Sequence, residues 1–385
     1  MSATNMIIGF IIMSSVYCGA NYYIARKLYQ WLALIFSRIN AKIYIGACAF
    51  IFLLTVFGFI RAFLPIPLII KNALGWFYAY YTGVFLYLLM YFVIADFLIL
   101  FGSLVKIIPN PVSLRVRFYA GLTVILLTFA TIIYGAYNAN KINNVFYNIR
   151  LKENVLSSEL KIVLISDLHL GAINSEKRLE IMVQNINRLN PDIVCVAGDI
   201  FNDDFDAINN PDKAINILKN ISAKYGVYGI LGNHDGGKTL KKMMNFLESS
   251  NIKLLNDESV IIDDRFILIG RLDSKPIGGF GEMNRKKFAE IILNENAEIP
   301  IIVMDHNPAN IGEYGNEISL ILAGHTHKGQ IFPGNLFTKI MFVVDYGHYR
   351  KNAESPNVIV TSGVSTWGMP MRVGTNNEIV SIILR

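Results

Sequence analysis

The sequence predicts two parts of different fold class: an N-terminal all-α transmembrane domain of four helices, followed by an α/β domain. Residues 1–150 contain four long apolar runs, whereas from about residue 160 short apolar runs alternate with helical ones. The hydrophobic fraction of the 385 residues is 53%, which is too high for a purely water-soluble protein. We therefore expect a transmembrane anchor at residues 1–150 and one water-soluble domain at residues 151–385.

Charge is distributed unevenly between these two parts. Residues 1–150 hold eleven Lys and Arg and a single acid, Asp96; subtraction from the totals of 35 and 29 leaves 24 basic and 28 acidic residues in 151–385. Basic residues beside apolar runs are typical of membrane topology. Because no basic stripe remains in the soluble part, a nucleic-acid partner is not expected.

The four apolar runs are long enough to cross a bilayer. Residues 6–25, 43–60 and 118–139 are free of charge, and about twenty helical residues span the roughly 30 Å of hydrocarbon. A fourth run is interrupted only by Asp96, and we place its membrane core at residues 76–101. Asp96 is either a functional intramembrane charge or a residue near the helix end that reaches the interface, and the second interpretation is favoured.

Basic residues in the loops also indicate an orientation. The loops after spans one and three hold seven of them, against Arg61 and Lys71 after span two. By the positive-inside rule, both chain ends and the soluble domain are expected outside the cytoplasm. This requires that the first span is retained, which the absence of Lys and Arg from residues 1–5 favours. Lys141, Arg150 and Lys152 follow span four and oppose this orientation.

Five apolar runs in the second part of the chain are predicted to be strands, and each is followed by a cluster of polar residues. Helical stretches such as 176–189 lie between the strands. The clusters are Asp167-Leu168-His169, Gly198-Asp199, Gly232-Asn233-His234-Asp235, Asp305-His306-Asn307-Pro308 and Gly324-His325-Thr326-His327. Ligands bind outside the carboxyl ends of strands in open α/β sheets. We therefore expect the five clusters to converge on one site.

The residue types in these clusters suit metal-assisted chemistry. A single strand-end Asp or His is more often a turn residue, but here five of the six histidines in the chain follow strands. Hydrolysis of a phosphate ester needs a strong nucleophile and neutralisation of phosphoryl charge, which two metal ions supply together. Mixed imidazole and carboxylate ligands favour Mn, Fe or Zn over Mg or Ca. Asp199 is the carboxylate expected to bridge the two ions.

The order of the clusters resembles that of calcineurin-like metallophosphoesterases over roughly residues 160–385. Segments 226–228, 306–308 and 324–331 are similar to the membrane-anchored bacterial branch of that family. So is the closing pattern of Gly363, Trp367, Gly368, Pro370, Arg372 and Glu378. The resemblance implies an α/β two-sheet sandwich with helices outside and metals at the strand ends. Every ligand position of the pattern is filled, so an active member is expected.

The resemblance also implies a role for each site residue. One metal ion would be held by Asp167, His169, Asp199 and His327. The second would be held by Asp199, Asn233, His306 and His325. His234 would contact the phosphate and act as general acid for the leaving alkoxide, and Asp235 would orient His234.

Several polar residues near these clusters have open or ordinary interpretations. Arg372 either clamps a phosphate or is structural. His348 is expected to be a surface loop histidine. Asn202, Asp203 and Asp204 either line the mouth of the site or are simply loop.

Together these features favour a membrane-anchored hydrolase of phosphomonoesters, phosphodiesters or pyrophosphates that uses metal-activated hydroxide. Anchoring makes a lipid-linked substrate plausible. One alternative is a phosphodiesterase for soluble nucleotides or glycerophosphodiesters that uses the membrane only as a tether. Another is a transporter or sensor with a regulatory metal domain, which the single acid in the spans and the lack of an internal repeat disfavour. Substrate, metal identity and oligomeric state stay open.

Overall fold

The computed structural model describes residues 3–151, 156, 158–171, 173, 176–292 and 299–385. The chain forms two compact units, Met1–Tyr134 and Gly135–Arg385. Each unit is described separately below.

The first unit is helical, as the apolar runs predict. Its helices are α1 Ala3–Leu32, α2 Ala41–Ile60, α3 Leu68–Leu104 and α4 Leu114–Asn138, the last of which ends in the second unit. All four contain stretches long and apolar enough to cross a membrane. The third, Leu68–Leu104, is much longer than the predicted core at 76–101, because the helix continues beyond the most apolar stretch at both ends.

Asp96 lies within α3, eight residues before its end, and is paired. Its carboxylate lies 2.6 Å from the Lys27 ammonium and accepts a hydrogen bond of 2.7 Å from the Tyr23 hydroxyl. Both partners lie near the end of α1. An isolated charge in hydrocarbon is costly, and this pairing near the helix ends offsets that cost.

The second unit contains two mixed sheets. The strands, in chain order, are β1 Ile142–Ile149, β2 Leu160–Ile165, β3 Ile193–Ala197, β4 Val227–Ile230, β5 Ile252–Leu254, β6 Glu258–Ile262, β7 Phe266–Gly270, β8 Ile301–Met304, β9 Leu320–Ala323, β10 Gly347–Tyr349, β11 Asn357–Val360 and β12 Asn377–Leu384. One sheet has the order β1-β12-β2-β3-β4-β5 and the other β10-β11-β9-β8-β7-β6. The two-sheet α/β architecture expected from the sequence is confirmed.

Alternating side chains of the strands divide the core into three layers. On β2, Ile162 and Leu164 contact the cluster shared by both sheets, whereas Val163 and Ile165 contact the cluster under the helices. This alternation follows from the two-residue period of a strand. A third cluster covers the outer face of the second sheet. The remaining helices are α5 Glu176–Arg188, α6 Pro211–Leu218, α7 Leu240–Ser249, α8 Phe288–Ile292 and α9 Gly334–Met341.

The five strands that precede the polar clusters lie side by side within their sheets. β2, β3 and β4 are parallel neighbours in the first sheet, and β8 and β9 are parallel neighbours in the second. Their carboxyl ends therefore share one edge of the sandwich, which is the condition for the clusters to meet.

β1 connects the end of α4 to the first sheet. Its eight residues pair in parallel with β12, from Ile142 opposite Asn377 to Ile149 opposite Leu384. Residues 142–149 are thus part of the sandwich, although they precede the domain boundary expected at residue 150.

Candidate metal centre

The loops after the five strands bring nine candidate residues to one edge of the sandwich. All nine are buried or nearly so: Asp167, His169, Asp199, Asn233, His234, Asp235, His306, His325 and His327. Two groups of three side chains within this set have ligand atoms close enough to hold a metal ion.

The first group consists of Asp167, His169 and His327. Its two imidazoles meet at 3.0 Å between Nε2 atoms, and Asp167 Oδ1 lies 3.2 Å from His327 Nε2 and 3.9 Å from His169 Nε2. The side chains come from the ends of β2 and β9, which lie in different sheets. This group therefore forms only because the two sheets pack face to face.

The second group consists of Asp199, His306 and His325. Asp199 Oδ2 lies 3.1 Å from His306 Nε2, and His325 Nδ1 lies 3.3 Å from the same nitrogen. The side-chain oxygen of Asn233 joins the group at 2.8 Å from His325 Nδ1. All four predicted contributors to the second ion thus lie together.

Asp199 lies between the two groups. The Oδ2 atom that contacts His306 is also 3.8 Å from His169 Nε2 in the first group. The other oxygen, Oδ1, accepts a hydrogen bond of 2.9 Å from the main-chain N–H of His234. One carboxylate oxygen therefore faces both groups, as a bridging ligand requires.

The loops reach this arrangement through unfavourable backbone conformations. Asp167, His169, Asp199, His325 and His327 have φ values of 58°, 45°, 52°, 71° and 50°. Positive φ is uncommon for residues other than glycine, and such strain is typical of functional sites. Five such residues in one site indicate that side-chain placement outweighs backbone preference here.

Two glycines in the clusters make room for the carboxylates. A Cβ at position 232 would collide with the Asp199 carboxylate, and one at position 324 would collide with Ser166 and the Asp167 carboxylate. Gly232 and Gly324 therefore permit the close approach of backbone to ligand that larger residues would block.

The protonation states of His169, His325 and the two carboxyls leave lone pairs for a cation, whereas His306 carries a proton. Burial lowers the pKa of His169 to about 3 and that of His325 to about 4, so both imidazoles are neutral at physiological pH. Burial opposes ionisation of Asp167 and Asp199, but the neighbouring imidazoles outweigh it and lower the pKa of both carboxyls. Burial would likewise lower the pKa of His306, yet Asp199 raises it well above its usual value.

These side chains fit divalent cations. Asp167 Oδ1 is buried and accepts no hydrogen bond within the described part of the chain. Neutral imidazoles and ionised carboxylates that converge within hydrogen-bond distance are the donors that Mn, Fe and Zn prefer. His306 Nδ1 lies 2.7 Å from the main-chain oxygen of Ala197, and a hydrogen bond there directs Nε2 toward Asp199.

His234 lies at the rim of the site, and Asp203 orients it. His234 Nδ1 is 2.6 Å from Asp203 Oδ1, and the ring lies between His169 and Trp367, at centroid distances of 5.3 Å and 5.5 Å. Burial opposes protonation, but the hydrogen bond to Asp203 and the charge of Asp199 outweigh it and raise the pKa of His234.

The carboxylate hydrogen-bonded to the His234 ring is that of Asp203 and not that of Asp235, the residue expected to orient His234. Asp235 is fully buried and instead accepts hydrogen bonds of 2.8 Å from the main-chain N–H groups of Phe201 and Gly232. Burial, with the charge of Asp199, raises the pKa of Asp235 to about 7. Asp235 thus supports the backbone of the loops that carry Asp199 and His234.

Arg372 is structural. Its guanidinium is completely buried and donates to the main-chain oxygens of His327 and Ser362 at 2.9 Å and 2.6 Å, while Nε donates to Asn377 at 2.7 Å. It therefore holds the His327 turn rather than a phosphate. His348, exposed on β10 and hydrogen-bonded to Asn357 at 3.0 Å, lies outside both groups.

The contact between Asp203 and His234 predicts a change in protonation. Asp203→Asn should lower the pKa of His234, because the amide keeps the shape of the side chain but loses the charge that favours imidazolium. NMR titration of labelled histidine would measure it, with Asp204→Asn as the matched control. The Asp204 carboxylate instead accepts a hydrogen bond from the N–H of Asp206, so equal effects of the two variants would contradict the assignment.

Comparisons with known proteins agree with this geometry. Residues 160–329 match the family model of calcineurin-like phosphoesterases. A metallophosphoesterase from Helicobacter pylori is 27% identical over 235 residues, 60% of this chain and 60% of its own length. One from Aquifex aeolicus is 28% identical over 240 residues, 62% of this chain and 90% of its own length.

The name of a third relative mentions a transmembrane protein as well as a metallophosphoesterase domain. The "transmembrane protein with metallophosphoesterase domain" of Bos taurus is 30% identical over 245 residues, 59% of this chain and 53% of its own length. The chain thus aligns with little more than half of the bovine and Helicobacter proteins. Residues 160–329, which carry both candidate metal-binding groups, therefore form a calcineurin-like phosphoesterase domain.

Proposed function

We propose that this protein is a membrane-anchored hydrolase of phosphomonoesters, phosphodiesters or pyrophosphates that works with two divalent transition-metal ions, Mn, Fe or Zn. The observation that supports this best is the position of Asp199 Oδ2, 3.1 Å from His306 and 3.8 Å from His169. A carboxylate shared by two groups of imidazoles is suited to a pair of cations rather than to one.

The ligand sets follow from the two groups. Asp167, His169, Asp199 and His327 would hold one ion. Asp199, Asn233, His306 and His325 would hold the other. Each set combines carboxylates, neutral imidazoles or an amide oxygen from both sheets, which favours transition metals over Mg or Ca.

The chemistry divides between the ions and the residues at the rim. When bound, two cations supply a strong nucleophile from water and neutralise charge on the phosphoryl oxygens. His234, held by Asp203 at 2.6 Å, would contact the phosphoryl group and donate a proton to the leaving alkoxide. Its raised pKa keeps that proton available near neutral pH. Asp235 and Arg372 would act only by positioning the loops.

The four long apolar helices support a location of the enzyme at a membrane. Residues 1–150 would provide the anchor, apart from the strand β1 at Ile142–Ile149, and residues 151–385 would form the catalytic domain that β1 joins, with both chain ends outside the cytoplasm. A catalytic domain tethered to a bilayer encounters amphiphilic phosphates at high local concentration. We therefore propose a lipid-linked phosphate or pyrophosphate as the substrate class.

Replacing the bridging residue should remove both ions. Asp199→Asn substitutes a neutral amide for a shared negative ligand, so metal affinity should fall by more than the roughly 10–100-fold seen when a residue that merely supports a ligand is lost. Hydrolysis should be abolished. Elemental analysis and turnover of the full-length protein would test this, with exposed Asp212→Asn as control. A variant with two bound ions and near-normal turnover would refute the bridge.

Replacing His234 should separate binding from proton transfer. His234→Ala should keep its ions, while kcat should fall about 10²–10⁴-fold for esters with alkyl leaving groups, the usual range for general acid catalysis. The loss should be smaller for p-nitrophenyl phosphate, because nitrophenolate needs little protonation. Equal losses for both kinds of ester would argue against the acid role.

The charge asymmetry of the loops predicts the side of the membrane. Protease added to intact cells or spheroplasts should remove residues 151–385 and spare the loops after spans one and three, which hold seven basic residues. If the domain resists digestion until the membrane is permeabilised, the orientation is inverted. In that case Lys141, Arg150 and Lys152 are the stronger signal.

A further inference from the structure

A ridge of exposed apolar side chains surrounds α9 in the Gly135–Arg385 unit. Phe337, Ile340, Met341 and Val343 are 62%, 83%, 73% and 72% exposed. We call this surface the α9 ridge, and its members are Phe332, Leu336, Phe337, Ile340, Met341 and Val343. None of the eight residues of α9 is buried.

The apolar face of α9 points away from the domain instead of toward its core. Leu336 and Ile340, and Phe337 and Met341, are four residues apart and form one stripe that points away from the domain. The polar Thr338 lies on the other side, where its hydroxyl donates to Asp345 Oδ2 at 2.8 Å. A surface helix normally packs its apolar stripe inward, so α9 presents the face that should be covered.

The ridge is also unusual for its concentration of apolar groups. Elsewhere, the described residues of 135–385 expose large apolar side chains only at scattered positions: Tyr137, Phe146, Ile181, Ile261, Ile277 and Trp367. Single exposed apolar residues are ordinary, whereas a contiguous patch marks a binding surface.

Hydrogen bonds connect the ridge to the end of α4. Asn138, in the last turn of that helix, donates to the main-chain oxygen of Thr375 at 2.8 Å, and the N–H of Arg372 donates to the oxygen of Gly135 at 2.9 Å. The main-chain oxygen of Val373, in the same segment 372–375, accepts a hydrogen bond of 2.9 Å from the N–H of Phe332, which is the first residue of the α9 ridge. Residues 372–375 thus link the start of the α9 ridge to the end of α4, which is a candidate membrane span.

The residues at the end of α4 are those of a membrane interface. Tyr137 is exposed, and the Lys141 ammonium lies 4.3 Å from the centre of its ring. Tyrosine and lysine at a span end mark the headgroup level. The ridge segment 332–343 holds one basic residue, Lys339, and no acid, which suits an anionic lipid surface.

The metal-binding groups lie beside the ridge. Phe342 connects two ridge residues, and its ring centroid is 6.0 Å from that of His325. The α9 ridge therefore lies next to the metal-binding groups at Phe342. At Phe332, its other end, it is linked to the end of α4 through residues 372–375.

We propose that the α9 ridge inserts into the interfacial layer of the bilayer that holds the helices and brings the metal site to the level of the phospholipid headgroups. An apolar helix face of this kind enters a membrane by about 5–10 Å. This docking goes beyond the proposed hydrolysis and does not require it, but it explains how a phosphate in the headgroup layer would reach His234 without leaving the membrane.

Spin labelling of the full-length protein tests the docking directly. Cys18 and Cys48 are first replaced by alanine, whereas Cys195 is buried and unreactive. A nitroxide at Ile340→Cys, in nanodiscs containing phosphatidylglycerol, should show a several-fold higher ratio of collisions with oxygen to collisions with a nickel chelate than one at Ile181→Cys. Ile181 is the matched control, since it is exposed on the helix α5.

Equal ratios at the two positions would overturn the docking and leave the hydrolytic proposal untouched. A label shielded from both reagents, with concentration-dependent dimers in detergent, would assign the ridge to a second copy of the chain and also overturn it. Both results are obtained without substrate, so a failure of the proposed function would not affect them.

A second comparison uses charged substitutions. In vesicles, Phe337→Asp with Ile340→Asp should lower turnover of phosphatidic acid about tenfold or more, because two charged side chains replace apolar surface that would leave water on insertion. Turnover of soluble p-nitrophenyl phosphate should not change, and Ile181→Asp should affect neither. Loss of both activities in a double variant that keeps the circular dichroism spectrum and melting temperature of the parent protein would contradict a docking role.

Discussion

The carboxylate of Asp199 imposes the main constraint on this structure, because it is buried, ionised and shared by two groups of imidazoles. A buried charge is costly unless it is paired. Asp167 adds a second ionised carboxylate a few ångströms away, across His169. The pKa of His306 is raised because it is the nearest group that can carry a compensating proton. The local excess of negative charge is what a pair of cations would neutralise.

The rest of the sandwich serves to bring these groups together. Parallel strands place their carboxyl ends at one edge, and the face-to-face packing of the sheets joins the ends of β2 and β3 to those of β8 and β9. The turns then require positive φ at five of the proposed ligand positions and glycine at 232 and 324. Arg372 fixes the last of these turns through the main-chain oxygen of His327. The cost of the strained turns is offset by the packing of three apolar layers.

Much of this site could be predicted from the sequence, because its side chains follow apolar strands directly. The type of each of the five strands, and the meeting of Asp167, Asp199 and His306, required only the rule that ligands gather at strand ends. The contact of His234 with Asp203 could not be predicted, since Asp235 is adjacent to His234 in the sequence whereas Asp203 is 31 residues away, and only the path of the loop brings that carboxylate to the ring. Arg372 was ambiguous for a similar reason: burial decides its role, and burial depends on long-range packing.

The direction of α9 was also beyond prediction. Its apolar residues at helical spacing would ordinarily be assigned to the core, and only the structure reveals that Thr338 faces inward and Ile340 outward. The same physical rule, that apolar surface leaves water, then applies at a different scale. In the strands it builds the core, in α1 to α4 it makes four helices apolar enough to cross a bilayer, and at the α9 ridge it is the basis of the proposed docking.

The central claim is that two cations share Asp199, and anomalous X-ray scattering from the Mn-loaded full-length protein tests it most directly. The account predicts two anomalous peaks, one beside Asp167, His169 and His327 and the other beside Asn233, His306 and His325, with the Asp199 carboxylate in contact with both. A single peak, or two peaks of which one does not touch Asp199, would contradict it.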